Sequence, residues 1–233
     1  LKEELDEYYL KKTGLAKGKL GSMNLSNPDK NIIYSSSILG NNLAVGSGYA
    51  LANKLKNQNG VVFIVTGDGA IEEGAFYESL LFLKSNKLPS VIIVENNEWS
   101  LGTRIEERRT NIDLSNFAKS LGIEYEFLEK NDPFDYVNKL TKIKANCLAS
   151  NSPLLVEVKL TTFGYWYMKN SSFPEGKFIN YHAGPAPEIN VTEYPLIKNN
   201  DEDPLFKLTE YLDSQKLTYF STEIQKKLML EIS

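Results

Sequence analysis

Two short apolar runs, VVFIVT at 61–66 and SVIIVE at 90–95, each end in a polar turn: Gly67-Asp68-Gly69 after the first and Asn96-Asn97 after the second. Runs that are apolar throughout, rather than alternating, suit strands covered on both faces, as in parallel sheets. The segment between them, EEGAFYESLLFLKSNKLP, carries Phe76, Tyr77, Leu80, Leu81 and Leu83 at helical spacing and stops before Pro89. Strand, helix and strand form a right-handed crossover within one sheet, so Asp68 and Asn97 are expected to meet at its carboxyl edge.

The same alternation continues along the chain. Helices are predicted at 114–121 and 134–149, and strands at 123–128 and 154–160, giving an α/β fold with an open, mainly parallel sheet flanked by helices. Upstream, 1–12 reads as a charged helix and 14–40 as loop and turns. LAVGSGYALANKLK at 43–56 reads as a buried helix whose small residues admit a close neighbour. Downstream, GYWYMKNSSFPEGKFINYHAGPAPE reads as an aromatic loop, followed by amphipathic helices at 204–212 and 221–231. The expected organisation is one α/β domain over 1–200 with a helical extension of that domain over 201–233. The first residue is Leu1, and further residues upstream are expected.

With 42% hydrophobic residues in 233, the chain can build one continuous core. Its net charge of -4 and interspersed signs argue against nucleic acid or an anionic membrane as partner. Neither an 18-residue apolar run nor a signal-like start is seen, and a single cysteine cannot form an internal disulfide; the expected location is the cytoplasm.

At the predicted edge the available groups are a carboxylate, an amide oxygen and loop carbonyls, hard ligands that suit Mg²⁺ or Ca²⁺ better than zinc. Mg²⁺ takes one or two protein carboxylates and completes its octahedron with waters and phosphate oxygens. The amides of Gly69 and Ala70, with the start of the following helix, would favour an anion at the same place.

The stretch from Gly67 to Asn97, with 26 residues between GDG and NN, resembles the thiamine diphosphate fingerprint. The likeness spans nearly the whole chain. AKGKLGSMNL at 16–25, SILGNNLAVGSGYALANK at 37–54, ENNEWSLGT at 95–103 and DEDPLFKLTEYL at 201–212 are similar to segments of the alpha subunit of the decarboxylating component of 2-oxoacid dehydrogenases of the pyruvate, branched-chain and acetoin types. A divergent sugar-pathway relative is a variant of the same resemblance.

What the resemblance implies is specific. Asp68, the Asn97 side chain and the Trp99 carbonyl become the Mg²⁺ ligands. Gly67, Gly69 and Ala70 join Asp68 and Asn97 around the diphosphate, and the Leu39 backbone lies beside the aminopyrimidine. In this family a beta subunit supplies the glutamate that activates the pyrimidine, so a beta-type partner and a heterotetramer are implied. The substrate is a small 2-oxo acid or a sugar, and the product an acyl or aldehyde unit passed onward. Where many relatives carry an HGHS loop this chain reads TTFGYWYMKNSS; its one histidine, His182, resembles the HVGP variant and is the candidate catalytic histidine.

Blander readings stand beside these. Cys147 shares a helix face with Tyr136, Leu140 and Ile143 and is assigned packing. TRIEERRT at 103–110 mixes Arg104, Arg108 and Arg109 with Glu106 and Glu107 and reads as a solvated loop before it reads as an anion contact. Tyr165, Trp166 and Tyr167 favour burial against another chain. Glu72 and Glu73 suit a helix start and are assigned no catalysis. Three rival functions remain: a thiamine-dependent carboligase or transketolase-like enzyme of sugar metabolism, a dinucleotide-binding oxidoreductase with Glu95 at the second strand end, and a degenerate interaction subunit.

Overall fold

The computed structural model describes residues 2–21, 23–162, 165–180, 189–190, 196–197 and 202–232. Its elements in chain order are α1 (Lys2–Tyr8), α2 (Asn41–Leu55), β1 (Val62–Gly67), α3 (Gly74–Ser85), β2 (Ser90–Asn96), β3 (Trp99–Ser100), β4 (Thr103–Arg104), α4 (Ile105–Arg108) and α5 (Leu114–Ser120). Then come β5 (Glu124–Leu128), α6 (Pro133–Ser150), β6 (Leu154–Lys159), β7 (Tyr165–Asn170), β8 (Phe173–Asn180), β9 (Ile189–Asn190), β10 (Leu196–Ile197), α7 (Pro204–Leu208) and α8 (Ser214–Ile232). Among the described residues, no helix is long and apolar enough to cross a membrane.

Four strands form a wholly parallel sheet in the order β1-β2-β6-β5. The chain steps forward from β1 to β2, forward again over an empty place to β5, and then back to fill that place with β6. Right-handed crossovers in opposite directions put their helices on opposite faces. Accordingly, α3 and α5 pack with α2 in one core, where Leu43, Phe76, Leu80 and Ala118 meet Ile64, Ile92, Val94 and Leu155. On the other face α6 brings Ile143 and Cys147 against Val91, Leu154 and Val156. Cys147 is a packing residue as expected, and burial pushes its thiol up to about 11. That second layer stops short of β1, where Phe63 and Val65 are exposed.

Three expectations needed correction. Helix α2 is buried on one face only: Leu43, Ser47 and Ala50 face inward, whereas Ala44, Gly48 and Tyr49 are exposed. Its close approach is made at Gly46, where a Cβ would stand 2.6 Å from Ile64 Cδ1. Helix α1 ends at Tyr8 rather than extending to residue 12. The aromatic segment expected to be loop is an antiparallel hairpin, β7 with β8. Asn170 Oδ1 accepts the main-chain N–H groups of Ser172 (2.9 Å) and Phe173 (3.0 Å), which closes its turn.

The glycine-rich segment after α1 is organised by one carboxylate. Fully buried Glu7 accepts main-chain N–H groups from Ala16 (2.8 Å), Gly18 (2.8 Å) and Leu20 (2.6 Å). Burial pushes its carboxyl up, but these backbone donors outweigh that and leave it below the ordinary 4.5. A depressed carboxylate stabilises the fold fully above the unfolded value, and this contribution disappears as pH falls through the folded one. Glu7→Gln should therefore melt at a lower temperature at pH 7 and lose less on acidification below 4.5 than the parent. Parallel acid limbs in melts recorded from pH 7 down to pH 3, bounds set by these carboxylate values, would refute this role.

Candidate functional site

Strand β1 pairs with β2 in register, Gly67 opposite Glu95, so both chains leave the sheet at the same edge. The Asp68 N–H continues the ladder onto the Glu95 carbonyl at 3.1 Å. Asp68 itself is 3% exposed, and the Asn97 main-chain N–H is among the groups that stabilise its carboxylate. The two turns predicted from the sequence thus meet at the carboxyl edge, where open α/β sheets place their ligands.

Asn97 is fixed from both ends: Nδ2 donates to Thr162 Oγ1 at 2.9 Å, and Oδ1 accepts the Trp99 N–H at 3.0 Å. Thr162 follows β6, so the three neighbouring strands β1, β2 and β6 all contribute to this edge. Below it, Asn96 Nδ2 donates to Glu157 Oε1 at 2.7 Å, and the Tyr125 hydroxyl donates to Glu157 Oε2 at 2.6 Å, tying β2, β6 and β5 together.

Gly69 and Ala70 form the turn directly after Asp68. Helix α3 does not start there, contrary to expectation: a single 3-10 turn (Ala70–Glu72) and extended Glu73 precede it. The amides nearest the edge therefore belong to the turn rather than to a long helix. A Cβ at residue 69 would lie 2.6 Å from Ser100 Oγ, so β3 closes directly over the glycine. Leu39 is 58% exposed and precedes Gly40, where a Cβ would meet Glu73 Cβ at 3.0 Å; this places it beside the same turn. Trp99 lies on β3, opposite Arg104 of β4. His182 lies outside the described residues.

The segment read as a solvated charged loop proved otherwise. Arg108 and Arg109 keep only 12% and 13% of their side-chain surface exposed. Arg108 Nη2 is 2.8 Å from Asp68 Oδ2, and its Nη1 pairs with Glu72 Oε1. Arg109 Nε reaches the same Glu72 oxygen at 2.9 Å, and its Nη2 reaches the Asp68 carbonyl at 3.4 Å. Of the three arginines, Arg104 remains half exposed, over the Trp99 ring, and Glu106 beside it faces solvent. Burial raises the Asp68 carboxyl above its ordinary range, with Arg108 pulling the other way. The guanidinium, shared with Glu72, offsets only part of the cost of desolvating that carboxylate.

Residues 2–165 match the family model described as dehydrogenase E1 component. The chain belongs to the dehydrogenase E1 component family. Within this E1 family it is similar to the pyruvate dehydrogenase E1 component subunit alpha of Rickettsia prowazekii (strain Madrid E), with 36% identity over 148 residues, 63% of this chain and 45% of that protein. The corresponding subunit of Rhizobium meliloti (strain 1021) is 30% identical over 145 residues, 62% of this chain and 42% of that protein. The somatic mitochondrial form of Pan troglodytes is 27% identical across 100% of this chain and 54% of its own length. The chain spans about half the length of the curated relatives it matches. Among solved structures, transketolase from Campylobacter jejuni superposes on 68% of this chain and 24% of its own, with a TM-score of 0.52 and 19% identity, a likeness of fold. Membership of the E1 family removes the ground for a dinucleotide-binding oxidoreductase.

Proposed function

We propose that this chain is the alpha-type part of a thiamine diphosphate- and Mg²⁺-dependent enzyme that decarboxylates a 2-oxo acid and passes on the resulting acyl or aldehyde unit. The observation that carries the proposal is the convergence of buried Asp68 and clamped Asn97 at one sheet edge, next to the Gly69-Ala70 turn. When bound, the cofactor would supply a carbon nucleophile and an electron sink for the decarboxylation.

The donor chemistry fits such a cation. Asp68 offers a carboxylate already desolvated and already neutralised by a stand-in cation, Arg108. Among the described residues, no three His, Cys, Asp or Glu side chains gather. The set of one carboxylate, the Asn97 amide and the Trp99 carbonyl leaves positions for phosphate oxygens and water, which is how Mg²⁺ is usually held. Gly67, Gly69 and Ala70 would face the diphosphate with main-chain amides, and Leu39 the pyrimidine. His182 is retained as the candidate catalytic histidine on the strength of the sequence resemblance.

A beta-type subunit completes this reading. It would contribute the pyrimidine-activating glutamate within a heterotetramer of cytoplasmic location, as the resemblance implies. The test uses the chain together with its copurifying partner. Thiamine diphosphate with Mg²⁺ at 100 times Kd should stabilise the parent by about 2.7 kcal/mol, read as a rise in melting temperature. Asp68→Asn should abolish that rise while leaving the partner bound. A rise of equal size in Asp68→Asn would overturn the assignment.

A further inference from the structure

Arg108 comes from α4, 40 residues beyond Asp68, and brings β3 and β4 back over the phosphate turn. Its guanidinium bridges two carboxylates, Oδ2 of Asp68 and Oε1 of Glu72, while Arg109 braces Glu72 from the other side. The two arginines and two acids form a neutral quartet in which Arg108, Arg109 and Asp68 are largely shielded and Glu72 keeps 33% of its side-chain surface exposed. Such an arrangement costs little only while it stays balanced, because a second cation on Asp68 would face the guanidinium across a poorly solvated gap.

One atom shows that the arrangement is not the best this arginine could make. Arg108 Nε, shielded from solvent, donates to no acceptor. Buried guanidinium N–H groups are normally satisfied, and an orphan costs stability. The side chain is therefore committed to Asp68 at the expense of its own hydrogen bonding.

We propose that Arg108 is an exchangeable counter-ion for Asp68: it neutralises the carboxylate until a divalent cation arrives, and the cation must displace it to bind. The inference rests on the metal reading given above and adds a competitor built into the chain. Binding of cation and closure by Arg108 are then mutually exclusive, so the guanidinium on α4 lets go of the Asp68 carboxylate when metal loads, while β3 keeps the Trp99 carbonyl at the edge. Removing the competitor must tighten metal binding, whereas removing a metal-supporting residue would weaken it.

The experiment titrates Mn²⁺ alone into the full chain with its copurifying partner and follows the free-ion electron paramagnetic resonance signal. Arg108→Gln should bind Mn²⁺ about tenfold more tightly than the parent, within the usual range of coupling between competing ligands. It should also melt at a lower temperature without metal, because Asp68 loses its counter-ion. Arg108→Lys, which keeps a charge but loses the two-pronged grip, should lie between them and serves if Arg108→Gln does not fold. Equal or weaker Mn²⁺ affinity in Arg108→Gln, or in Arg108→Lys when that variant stands in, overturns the inference. Asp68→Asn separates the two ideas: if it binds Mn²⁺ as the parent does, the metal assignment itself falls and the inference falls with it. If it loses Mn²⁺ while the arginine variants match the parent, only the counter-ion role fails.

Discussion

Phe76→Ala is expected to destabilise the chain by about 3–5 kcal/mol, a fall in melting temperature of roughly 6–20 °C at this size. The side chain is fully buried, with its ring 5.2 Å from that of Tyr77 and 6.1 Å from that of Phe117. It sits in the core that joins α2, α3 and α5 to β1 and β2. Truncation removes a large apolar group from a close-packed layer, which relaxes only partially into the space left behind. Phe76 is also only three residues past Glu73, the N-cap residue of the helix that follows the Gly69-Ala70 turn. The loss should appear in thermal or urea melts; a change below about 1 kcal/mol would mean that this layer is far looser than its burial suggests.

The second large effect is expected at Gly69. Its backbone is in an ordinary conformation, with φ at -76°, so the constraint is space and not strain. A methyl group there would meet Ser100 Oγ at 2.6 Å and Ser100 Cβ at 2.9 Å. Gly69→Ala should therefore push β3 away from the turn, costing about 1–3 kcal/mol by overpacking. Because Trp99 is the next residue on β3, thiamine diphosphate affinity should fall on the order of tenfold or more if the carbonyl of Trp99 is a metal ligand. The double variant Gly69→Ala with Ser100→Gly should recover most of both losses, since the clash is between these two residues. Additive losses in the double variant would place the effect elsewhere.

The sheet edge was legible because its signals are local. The β-branched runs of β1 and β2 and the turns that end them lie within 61–97, and the handedness of one crossover was enough to bring Asp68 and Asn97 together. The hairpin of β7 and β8 was also local but was masked by Gly164, Gly176 and the Asn-Ser-Ser turn. The consecutive aromatics 165–167 and the turn at Asn170 could have identified it. The role of Arg108 was not legible in this way. Its meaning depends on a return of the chain to Asp68 and Glu72, and a run mixing arginine and glutamate looks the same whether its charges face solvent or each other. His182 is the one site residue named from the sequence that the described residues do not include.

The strand order has a consequence for how the chain acquires its structure. The last of the four strands in sequence, β6, lies between β2 and β5 and, among the described residues, is the only element hydrogen-bonded to both. Until Leu154–Lys159 is available, the β1-β2 pair and β5 have no common neighbour. Pairing β6 with β2 closes a loop of about 60 residues, and such closures slow folding because chain entropy is lost before the contacts form. On the ribosome, β1, α3 and β2 should thus wait as an apolar half-sheet through the synthesis of α5, β5 and α6. The clamp of Asn97 by Thr162 then completes the site only after this final insertion.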